Sequence, residues 1–443
     1  MPELRYKALV DRIAGDIRAG RLRPGTRLPT HRELAAREGL ALVTATRVYA
    51  ELQAMGLVSG ETGRGTFVKE PLPPAEGIDL LASGADTVDM TFNYPSAPDQ
   101  ADLFRVALRQ LAASGDLESM LRYQPHGGRE HERATVARHL AVRGLQAAAQ
   151  TVLLVSGAQH GLTTTAMTLL EPGDVVAVDA LTYPGFKLTA EACRLEIVPV
   201  AAAGNGPDLD ALAALCKRRK VRAVYTMPTL HNPLGWVMGV ARRRELVAIA
   251  RRHGLLIIED GAYAFLAEGA PPPLAALAPE LTVYVSSFSK SVATGLRVGF
   301  IHAPREWIPK IERNIRATTW NTPATLTSIA CRWLEDGTVA RLEAQKRRDA
   351  TRRQAIAARV LAQFKRVGHP ASYFLWLPLP QEVRADAIAM ALRNERIAVS
   401  TAHAFCASTQ VPHAIRLALG SVSLAAIEHA LERVAKTIAD QSY

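Results

Sequence analysis

One stretch of twenty residues, Leu281 to Phe300, constrains this chain more than any other part of it. The stretch opens with an apolar β-branched run, which predicts a buried strand. Ser287 and Ser289 follow that run, just before Lys290, and Arg297 begins the next apolar run. The sequence therefore places two hydroxyls, an amine and a guanidinium at one strand-to-strand corner.

This set of groups suits a phosphorylated aldehyde. The serines and Arg297 can hold a phosphate through charge-assisted hydrogen bonds. Lys290, desolvated and close to other cations, can lose its proton and form a Schiff base with the aldehyde. Pyridoxal phosphate has both features and is the cofactor that the stretch predicts. A Ser-x-Ser-Lys sequence alone also occurs in surface turns, where the lysine is simply solvated. The other motifs of the chain decide between a Schiff-base lysine and a solvated one.

Length and composition favour a multidomain globular protein. A chain of 443 residues is expected to form two or more domains, and 48% apolar with 21% charged residues is typical of soluble proteins. The chain has no uncharged apolar run long enough to span a membrane, and its charged N-terminus lacks the apolar core of a secretory signal. We expect a cytoplasmic protein. The formal net charge of +11 favours an anionic partner.

No metal site or disulfide framework is expected. The four cysteines are far apart in sequence and form no Cys-x-x-Cys pair. They are Cys193, Cys216, Cys331 and Cys406, and all are predicted to be small core residues. His126 and His131 make no metal-binding set with a nearby carboxylate.

The first seventy residues predict three helices and a hairpin. Residues 6–19 carry apolar side chains at helical spacing. Thr30 and Glu33 form a capping box that starts a second helix, and Gly39 separates it from a third helix over residues 43–55. Two short helices joined by a tight turn are typical of a helix-turn-helix, whose second helix enters the major groove of DNA.

The hairpin is predicted from strand-like residues 57–59 and 66–68, with Arg64 at its tip. Three helices and a basic hairpin make a winged helix. The sequences LPTHREL and GRGTFV, together with the region of Thr44, resemble the N-terminal domain of the GntR family of bacterial regulators. This resemblance implies contacts with double-stranded promoter DNA by Arg32, Thr44, Arg64 and Gly65.

The third helix departs from the family pattern at its start. Leu42 and Val43 stand where family members often carry a polar or basic residue. We expect Arg47 to supply the missing DNA contact, while Arg37 is expected to be a solvated surface charge.

A proline-containing segment, residues 70–86, separates this region from the rest and predicts a semi-rigid linker. From residue 89 onward, apolar strands alternate with alanine-rich helices, which predicts an α/β domain. The predicted boundaries are 1–69 for the winged helix-turn-helix domain, 70–88 for the linker and 89–443 for the α/β domain.

Polar and aromatic groups follow several further predicted strands of that domain. They are the helix-opening turn Gly157–Ala158–Gln159, whose amides can bind phosphate, then Tyr183, Asn232, Asp260 and Tyr263. In an open parallel sheet, ligands bind at the edge formed by the carboxyl ends of the strands. We therefore expect these groups to lie close to Lys290.

Together with Lys290 and Arg297, these residues resemble the pyridoxal phosphate site of fold-type I, class I and II aminotransferases. The resemblance implies that Asp260 keeps the pyridine nitrogen protonated. It implies that Tyr263 and Asn232 hydrogen-bond the 3-oxygen of the ring and that Tyr183 stacks on the ring. The phosphate would be held by Arg297, Ser287, Ser289 and the amides of Ala158 and Gln159.

The same resemblance covers two more residues. Arg416 matches the arginine that grips the α-carboxylate of a substrate. Tyr123 resembles the tyrosine that reaches the phosphate of the partner subunit, which implies a dimer. Gly261 departs from the pattern, because relatives often have a second acid after the aspartate. Nearby side chains are expected to be structural: His160 and His231 in supporting roles, and Trp320 in the apolar core.

A GntR-type winged helix joined to an aminotransferase-like domain resembles the MocR family of regulators over essentially the whole chain. The family implies a head-to-tail homodimer. One function then expected is a regulator that binds pyridoxal phosphate and senses an amino acid or amine. Another is an aminotransferase with an accessory DNA-binding domain. A degenerate scaffold without cofactor is disfavoured, because an unpaired Asp260 or Lys290 in a closed pocket would be costly.

Overall fold

The computed structural model describes residues 2–18, 21–23, 25–55, 57–61, 65–68, 87–95, 99–114, 117–380, 383–408 and 410–441. Arg64 and residues 70–86 of the expected linker lie outside these described residues. The described residues up to 68 form the head domain, and those from 87 onward form the effector domain.

The head domain has the expected three helices followed by a hairpin. Its elements are α1 (Pro2–Arg18), α2 (His31–Glu38), α3 (Leu42–Ala54), β1 (Val58–Glu61) and β2 (Gly65–Val68). The capping box is present: the Thr30 hydroxyl accepts from the Glu33 amide at 3.3 Å, and the Glu33 carboxylate accepts from the Thr30 amide at 2.7 Å. Gly39 ends α2 with a φ of 62°. The predicted winged helix-turn-helix is confirmed.

A small core of its own stabilises the head domain. Val10 of α1, Val48 and Leu52 of α3, and Val58 of β1 are fully buried and pack together. Because α1 and α3 place apolar residues at helical spacing toward this core, their opposite faces remain available to solvent.

The effector domain contains the remaining elements. Its helices are α4 (Gln100–Ala112), α5 (Leu117–Met120), α6 (Glu130–Val142), α7 (Ala158–Leu169), α8 (Pro184–Ala192), α9 (Leu209–Arg218), α10 (Val240–His253), α11 (Leu274–Leu277), α12 (Phe288–Ser291), α13 (Ile308–Thr318), α14 (Ala324–Glu335), α15 (Thr338–Val360), α16 (Ala385–Asn394) and α17 (Ile427–Asp440). Its strands are β3 (Val88–Met90), β4 (Val152–Val155), β5 (Val175–Asp179), β6 (Glu196–Val200), β7 (Val221–Thr226), β8 (Leu256–Asp260), β9 (Thr282–Ser287), β10 (Gly299–His302), β11 (Phe374–Pro378), β12 (Ile397–Thr401) and β13 (Ala414–Ala418).

A seven-stranded sheet in the order β4-β10-β9-β8-β7-β5-β6 forms the centre of the effector domain. The sheet is mixed and not fully parallel as expected, because β10 pairs antiparallel with both β4 and β9. The connection from Ser287 to Gly299 is shorter than the dozen or so residues that a parallel crossover needs. Since β10 is reversed, its first residue lies at the edge where its neighbours end.

A second, four-stranded sheet has the order β11-β13-β12-β3. The first strand of the effector domain, β3, pairs in parallel with β12 near the end of the chain. Both ends of the domain therefore contribute to one sheet, and the long helix α15 precedes that sheet's first C-terminal strand. The predicted α/β class is confirmed.

Burial follows the layered architecture. All the residues of β4, β5, β8 and β9 are buried, as expected for strands covered on both faces. Cys331 and Cys406 are buried, Cys193 and Cys216 only partly so, and all four are free thiols. None of the described helices is long and apolar enough to cross a membrane.

The capping box gives a first testable prediction. Thr30→Ala removes the acceptor for the Glu33 amide and should cost about 1 kcal/mol in α2. We expect amide hydrogen exchange of α2 peptides in the full-length protein to become about fivefold faster. Thr30→Ser keeps the oxygen and serves as the control. Equal protection in the alanine and serine variants would contradict the assignment.

Candidate functional site

A cavity of about 250 Å³ lies at the carboxyl edge of the seven-stranded sheet. It is lined by most of the residues that the sequence singled out. These are Ala158, Gln159, Tyr183, Asn232, Asp260, Tyr263, Ser287, Ser289, Lys290, Arg297 and Arg416. Gly157 directly precedes Ala158, the first of these residues. The antiparallel direction of β10 is what brings Arg297, which precedes it, to the same edge.

Lys290 presents an amine to the cavity from α12. Its Nζ donates a hydrogen bond to the backbone carbonyl of Asn93 at 2.6 Å. Burial, with the nearby cations Arg416 and Arg297, lowers the pKa of Lys290 to about 8. A sizeable fraction of the amine is therefore neutral near physiological pH, as a nucleophile requires.

Asp260 is a buried carboxylate at the end of β8. It is 1% exposed, and burial raises its pKa to about 6. Its Oδ2 accepts from the Tyr225 hydroxyl at 2.9 Å and its Oδ1 from the Ala262 amide at 2.9 Å. A carboxylate can accept further hydrogen bonds, so Asp260 can still hold a protonated ring nitrogen.

Several buried polar atoms in this cavity have no hydrogen-bond partner among the described residues. They are Asn93 Nδ2, Gln159 Oε1, Asn232 Oδ1, Ser289 Oγ and Arg416 Nε. Buried polar atoms are normally bonded, and leaving one unpaired is costly. Unpaired polar atoms that face one cavity indicate a binding site for a polar ligand. The residues present fit a phosphorylated pyridine.

An anion cradle forms where α7, β9 and β10 meet. No side chain caps α7, so its first amides are available to an anion. Gly157 has a φ of 89°, which favours glycine, and a Cβ there would lie 2.8 Å from Arg297 Nη2 and displace the guanidinium from the helix. Arg297 donates to the Ser156 carbonyl at 3.0 Å, which holds it there.

Arg416 reaches the cavity from the other sheet. It lies on β13, and its Nη2 donates to the Thr91 carbonyl at 2.7 Å. The guanidinium lies 5.0 Å from the centre of the Phe405 ring. Burial lowers the pKa of Arg416 to about 10, so it stays charged at neutral pH. A charged guanidinium with an unpaired Nε can bind a carboxylate.

Tyr183 and Tyr263 supply aromatic walls. Tyr183 directly precedes α8 and is half-buried, and burial beside Asp260 and Tyr263 raises its pKa. Burial also raises the pKa of Tyr263, an effect that Arg416 and Asn93 oppose. Both hydroxyls therefore remain protonated and can donate hydrogen bonds.

Tyr123 and Trp320 lie outside the cavity. Tyr123 is 85% exposed, and its ring centre is 5.2 Å from that of Trp320. The expectation that Trp320 is a core residue is wrong, because it is 38% exposed. Trp320 has a φ of 67° and lies two residues after the end of α13.

The histidines near the site have structural partners. Nδ1 of His160 accepts from the Ser156 amide at 3.1 Å, and its Nε2 contacts Thr318 Oγ1 at 2.8 Å. Burial and Arg297 lower the pKa of His160 to about 4, so it is neutral. His231 stacks on Trp236 with ring centres 4.1 Å apart. Within the described residues, no group of three or more His, Cys, Asp or Glu could hold a metal ion.

Three residues that support the site were not found from sequence. Asn93 accepts from Lys290, and Tyr225 donates to Asp260. Lys346 of α15 donates to the carbonyls of Val292 at 2.6 Å and Lys290 at 3.2 Å, which fixes the end of α12. A tyrosine in a buried strand and a lysine in a charged helix carry no signal of such roles. Asn93 lies just after β3, and the position of this strand depends on its pairing with β12 near the end of the chain.

Gly261 also has a physical explanation. A Cβ there would lie 2.1 Å from the hydroxyl oxygen of Tyr284, so a second acid does not fit beside this tyrosine. Tyr284 and Glu259 line a larger cavity of about 680 Å³, which also borders Asp260. That cavity includes neither Lys290 nor Arg416, so the chemistry belongs to the smaller one.

The candidate DNA-binding residues of the head domain differ from one another in exposure and in contacts. Arg32 is exposed on α2, and Thr44 is half-buried on α3. Arg47 is exposed but holds its guanidinium 4.6 Å from the centre of the Tyr6 ring. Gly65 has a φ of 120°, and a Cβ there would lie 2.9 Å from Arg27 Nε. Leu42 is 46% and Val43 81% exposed at the start of α3.

Comparison with known proteins agrees with both domains. The family described as "Aminotransferase class I and II" matches residues 85–434. The family "Bacterial regulatory proteins, gntR family" matches residues 5–68.

Two curated regulators are similar to this chain over most of its length. The HTH-type transcriptional regulator TauR of Rhodobacter capsulatus is 30% identical over 96% of this chain and 95% of its own. The HTH-type transcriptional regulator YdeF of Bacillus subtilis is 28% identical over 85% of this chain and 81% of its own.

Among solved structures, the α-aminoadipate aminotransferase LysN of Thermus thermophilus, complexed with N-(5'-phosphopyridoxyl)-L-leucine, is 25% identical. It has a TM-score of 0.74 and covers 80% of this chain and 93% of its own. The aminotransferase fold and such neighbours imply pyridoxal phosphate as the cofactor. The chain belongs to the class I and II aminotransferase family and is a GntR-type transcriptional regulator of the MocR arrangement, with a winged helix fused to an aminotransferase domain.

Proposed function

We propose that this regulator senses an amino acid or amine through pyridoxal phosphate bound in the 250 Å³ cavity, and that the head domain reports the ligand to promoter DNA. The observation that carries the proposal is the convergence of a reactive lysine and unpaired buried polar atoms in one cavity of a chain that also has a DNA-binding head.

The residues of the cavity divide the work of holding the cofactor. When bound, pyridoxal phosphate supplies an aldehyde carbon and an electron-withdrawing ring. Lys290 provides the amine for that aldehyde, and Asp260 holds a proton at the ring nitrogen. Asn232 and Tyr263 hydrogen-bond the ring oxygen, and Tyr183 covers one face. The phosphate is held by Arg297, Ser287, Ser289 and the amides of Ala158 and Gln159.

The amino compound is held at its carboxylate by Arg416. To bind it, Arg416 turns its donors from the Thr91 carbonyl toward the ligand, while Lys290 leaves the Asn93 carbonyl when it engages the cofactor. These two carbonyls belong to the first and third residues after β3, the first strand after the linker. Ligand binding therefore changes the hydrogen bonds of the segment that joins the linker to the effector domain. The ligand cavity and the DNA-binding head can therefore both act on the conformation of this one segment.

The assembly we propose is a head-to-tail homodimer in the cytoplasm, where promoter DNA is found. Tyr123 supports this assembly, because an aromatic side chain 85% exposed beside Trp320 is available to a second subunit. In that dimer, Tyr123 would contact the phosphate bound by the partner subunit. The proposed domain boundaries remain 1–69, 70–88 and 89–443. Arg32, Thr44, Arg47, Arg64 and Gly65 are the proposed DNA contacts.

The alternative function is transamination. Arg416 and the full set of residues around Lys290 favour it, because binding the cofactor alone does not need a carboxylate-binding arginine. LysN, whose fold the effector domain shares, is an aminotransferase.

The deciding experiment uses full-length protein with pyridoxal phosphate, a panel of amino acids and amines, and DNA sites selected from a random double-stranded pool. We expect one amino compound to change both the visible absorbance of the bound cofactor and the DNA affinity. The change in affinity should be about fivefold or more. Added keto acid should give no sustained product.

Lys290→Ala is the matched variant. It should lose the visible band and the effect of the ligand on DNA binding, yet still bind DNA. Steady product formation with no ligand-dependent change in DNA affinity would overturn the sensing proposal in favour of an aminotransferase.

The lowered pKa of Lys290 predicts a pH profile. Because only the neutral amine attacks the aldehyde, the rate of cofactor attachment should rise with pH through about 8. Arg416→Met removes a neighbouring positive charge that favours the neutral amine, so its profile should move to higher pH. Arg313→Met, on the exposed side of α13, is the control. Stopped-flow absorbance measures both, and an unshifted Arg416→Met profile would contradict the assigned cause.

Lys346 is predicted to position Lys290. Lys346→Met leaves the Lys290 carbonyl without this charged donor, and hydrogen bonds to charged groups contribute about 1.5–3 kcal/mol. We expect pyridoxal phosphate to dissociate about tenfold faster or more, measured by loss of absorbance after transfer to a trapping amine. The nearby variant Arg348→Met, at an exposed position of α15, should dissociate at the wild-type rate. Equal rates in the two variants would remove the positioning role.

A further inference from the structure

We propose that Leu42 and Val43 recognise thymine methyl groups in the major groove, so that the head domain selects its operator partly by apolar contacts. This inference rests on the proposed DNA-binding function and adds which base feature the first turn of α3 contacts.

The two side chains lie at the right place for such contacts. In a helix-turn-helix, the N-terminal residues of the second helix meet the base edges. Here that helix is α3, and its buried face is formed by Ala45, Val48 and Leu52. Val43, 81% exposed, and Leu42, 46% exposed, leave the opposite side of the first turn covered with methyl groups.

Two polar side chains of the same helix, Thr46 and Arg47, have partners within the head domain. Thr46 Oγ1 donates to the Leu42 carbonyl at 3.0 Å. Its single proton is thus used, so His31 Nδ1, at 3.2 Å, must donate to it. The His31 ring in turn stacks on Tyr49 with ring centres 4.6 Å apart. Arg47 holds its guanidinium over Tyr6. Leu42 and Val43 are exposed in the first turn, whereas Thr44 is half-buried, so the apolar pair forms most of the surface that the helix start offers to a base.

The chemistry of the bases indicates which base edge suits the apolar surface of Leu42 and Val43. In the major groove, thymine presents a C5-methyl group beside its O4 acceptor, whereas guanine, cytosine and adenine present hydrogen-bonding atoms and no methyl group. An apolar side chain gains by covering a methyl group. Against the other bases it removes water from polar atoms without replacing the hydrogen bonds. Both effects favour thymine. Arg32, exposed on the preceding helix α2, provides the positive charge that positions the helix on phosphates.

The test uses full-length protein with pyridoxal phosphate and the best site selected from the random DNA pool. Each thymine of that site is replaced singly by deoxyuridine, which removes one methyl group and leaves the Watson–Crick pairing and backbone unchanged. We expect one or two positions per half-site to weaken binding about fourfold each, the effect of one buried methyl group. The remaining thymines should show no change.

Protein variants assign the effect to the helix. Wild-type protein should bind the sensitive site more tightly with thymine than with deoxyuridine, and Val43→Ala or Leu42→Ala should lose most of this difference in affinity. The effects of the protein substitution and of the base substitution on affinity are then not additive. The salt dependence of binding should stay the same, because no charge is removed. Val142→Ala, on an 88% exposed valine of α6, is the matched control and should retain full sensitivity. Since Val43 is 81% exposed, its replacement leaves the head core intact.

Four outcomes would overturn the proposal. DNA binding without any methyl-sensitive thymine would leave the proposed function in place and remove only this inference. The same holds if sensitivity persists in both alanine variants. A change of oligomeric state in those variants, with unchanged sensitivity, would assign the apolar pair to a protein interface instead. Absence of any sequence preference would reject the proposed function as well.

Discussion

The cofactor site depends on the close contact of two glycines. Gly299 opens β10 between Ser287 of β9 and Val155 of β4. A Cβ at residue 299 would lie 2.7 Å from the carbonyl carbon of Gly157. Because both residues lack side chains, three strand ends meet at one point. The amine of the lysine, the serine hydroxyls, the guanidinium and the amides of α7 are brought together by that backbone packing.

The sequence predicts the fold and much of the site for a clear physical reason. Lys290, Asp260 and the turn at Gly157 are short-range patterns, in which a reactive group follows an apolar strand and so must lie at a sheet edge. The capping box at Thr30 and Glu33 is equally local. Such patterns need no knowledge of the tertiary fold.

Other features depend on partners that are distant in sequence. Tyr225 supports Asp260 and Lys346 supports the Lys290 turn only because separate elements pack together. The direction of β10 follows from a short connection whose path the hydrophobic pattern does not specify. Trp320 was expected in the apolar core, yet it is 38% exposed and its ring contacts Tyr123 and His126, both distant in sequence. The resemblance to aminotransferases supplied the role of Arg416, which no local pattern would have given.

Pairing of β3 with β12 has a consequence for how the two domains can be separated. β3 forms one edge of the four-stranded sheet and covers β12. An effector domain cut after Met90 would expose the backbone N–H and C=O groups of β12 as an open edge, and open edges invite pairing with other chains. An effector fragment that keeps the four-stranded sheet complete therefore has to begin before Val88.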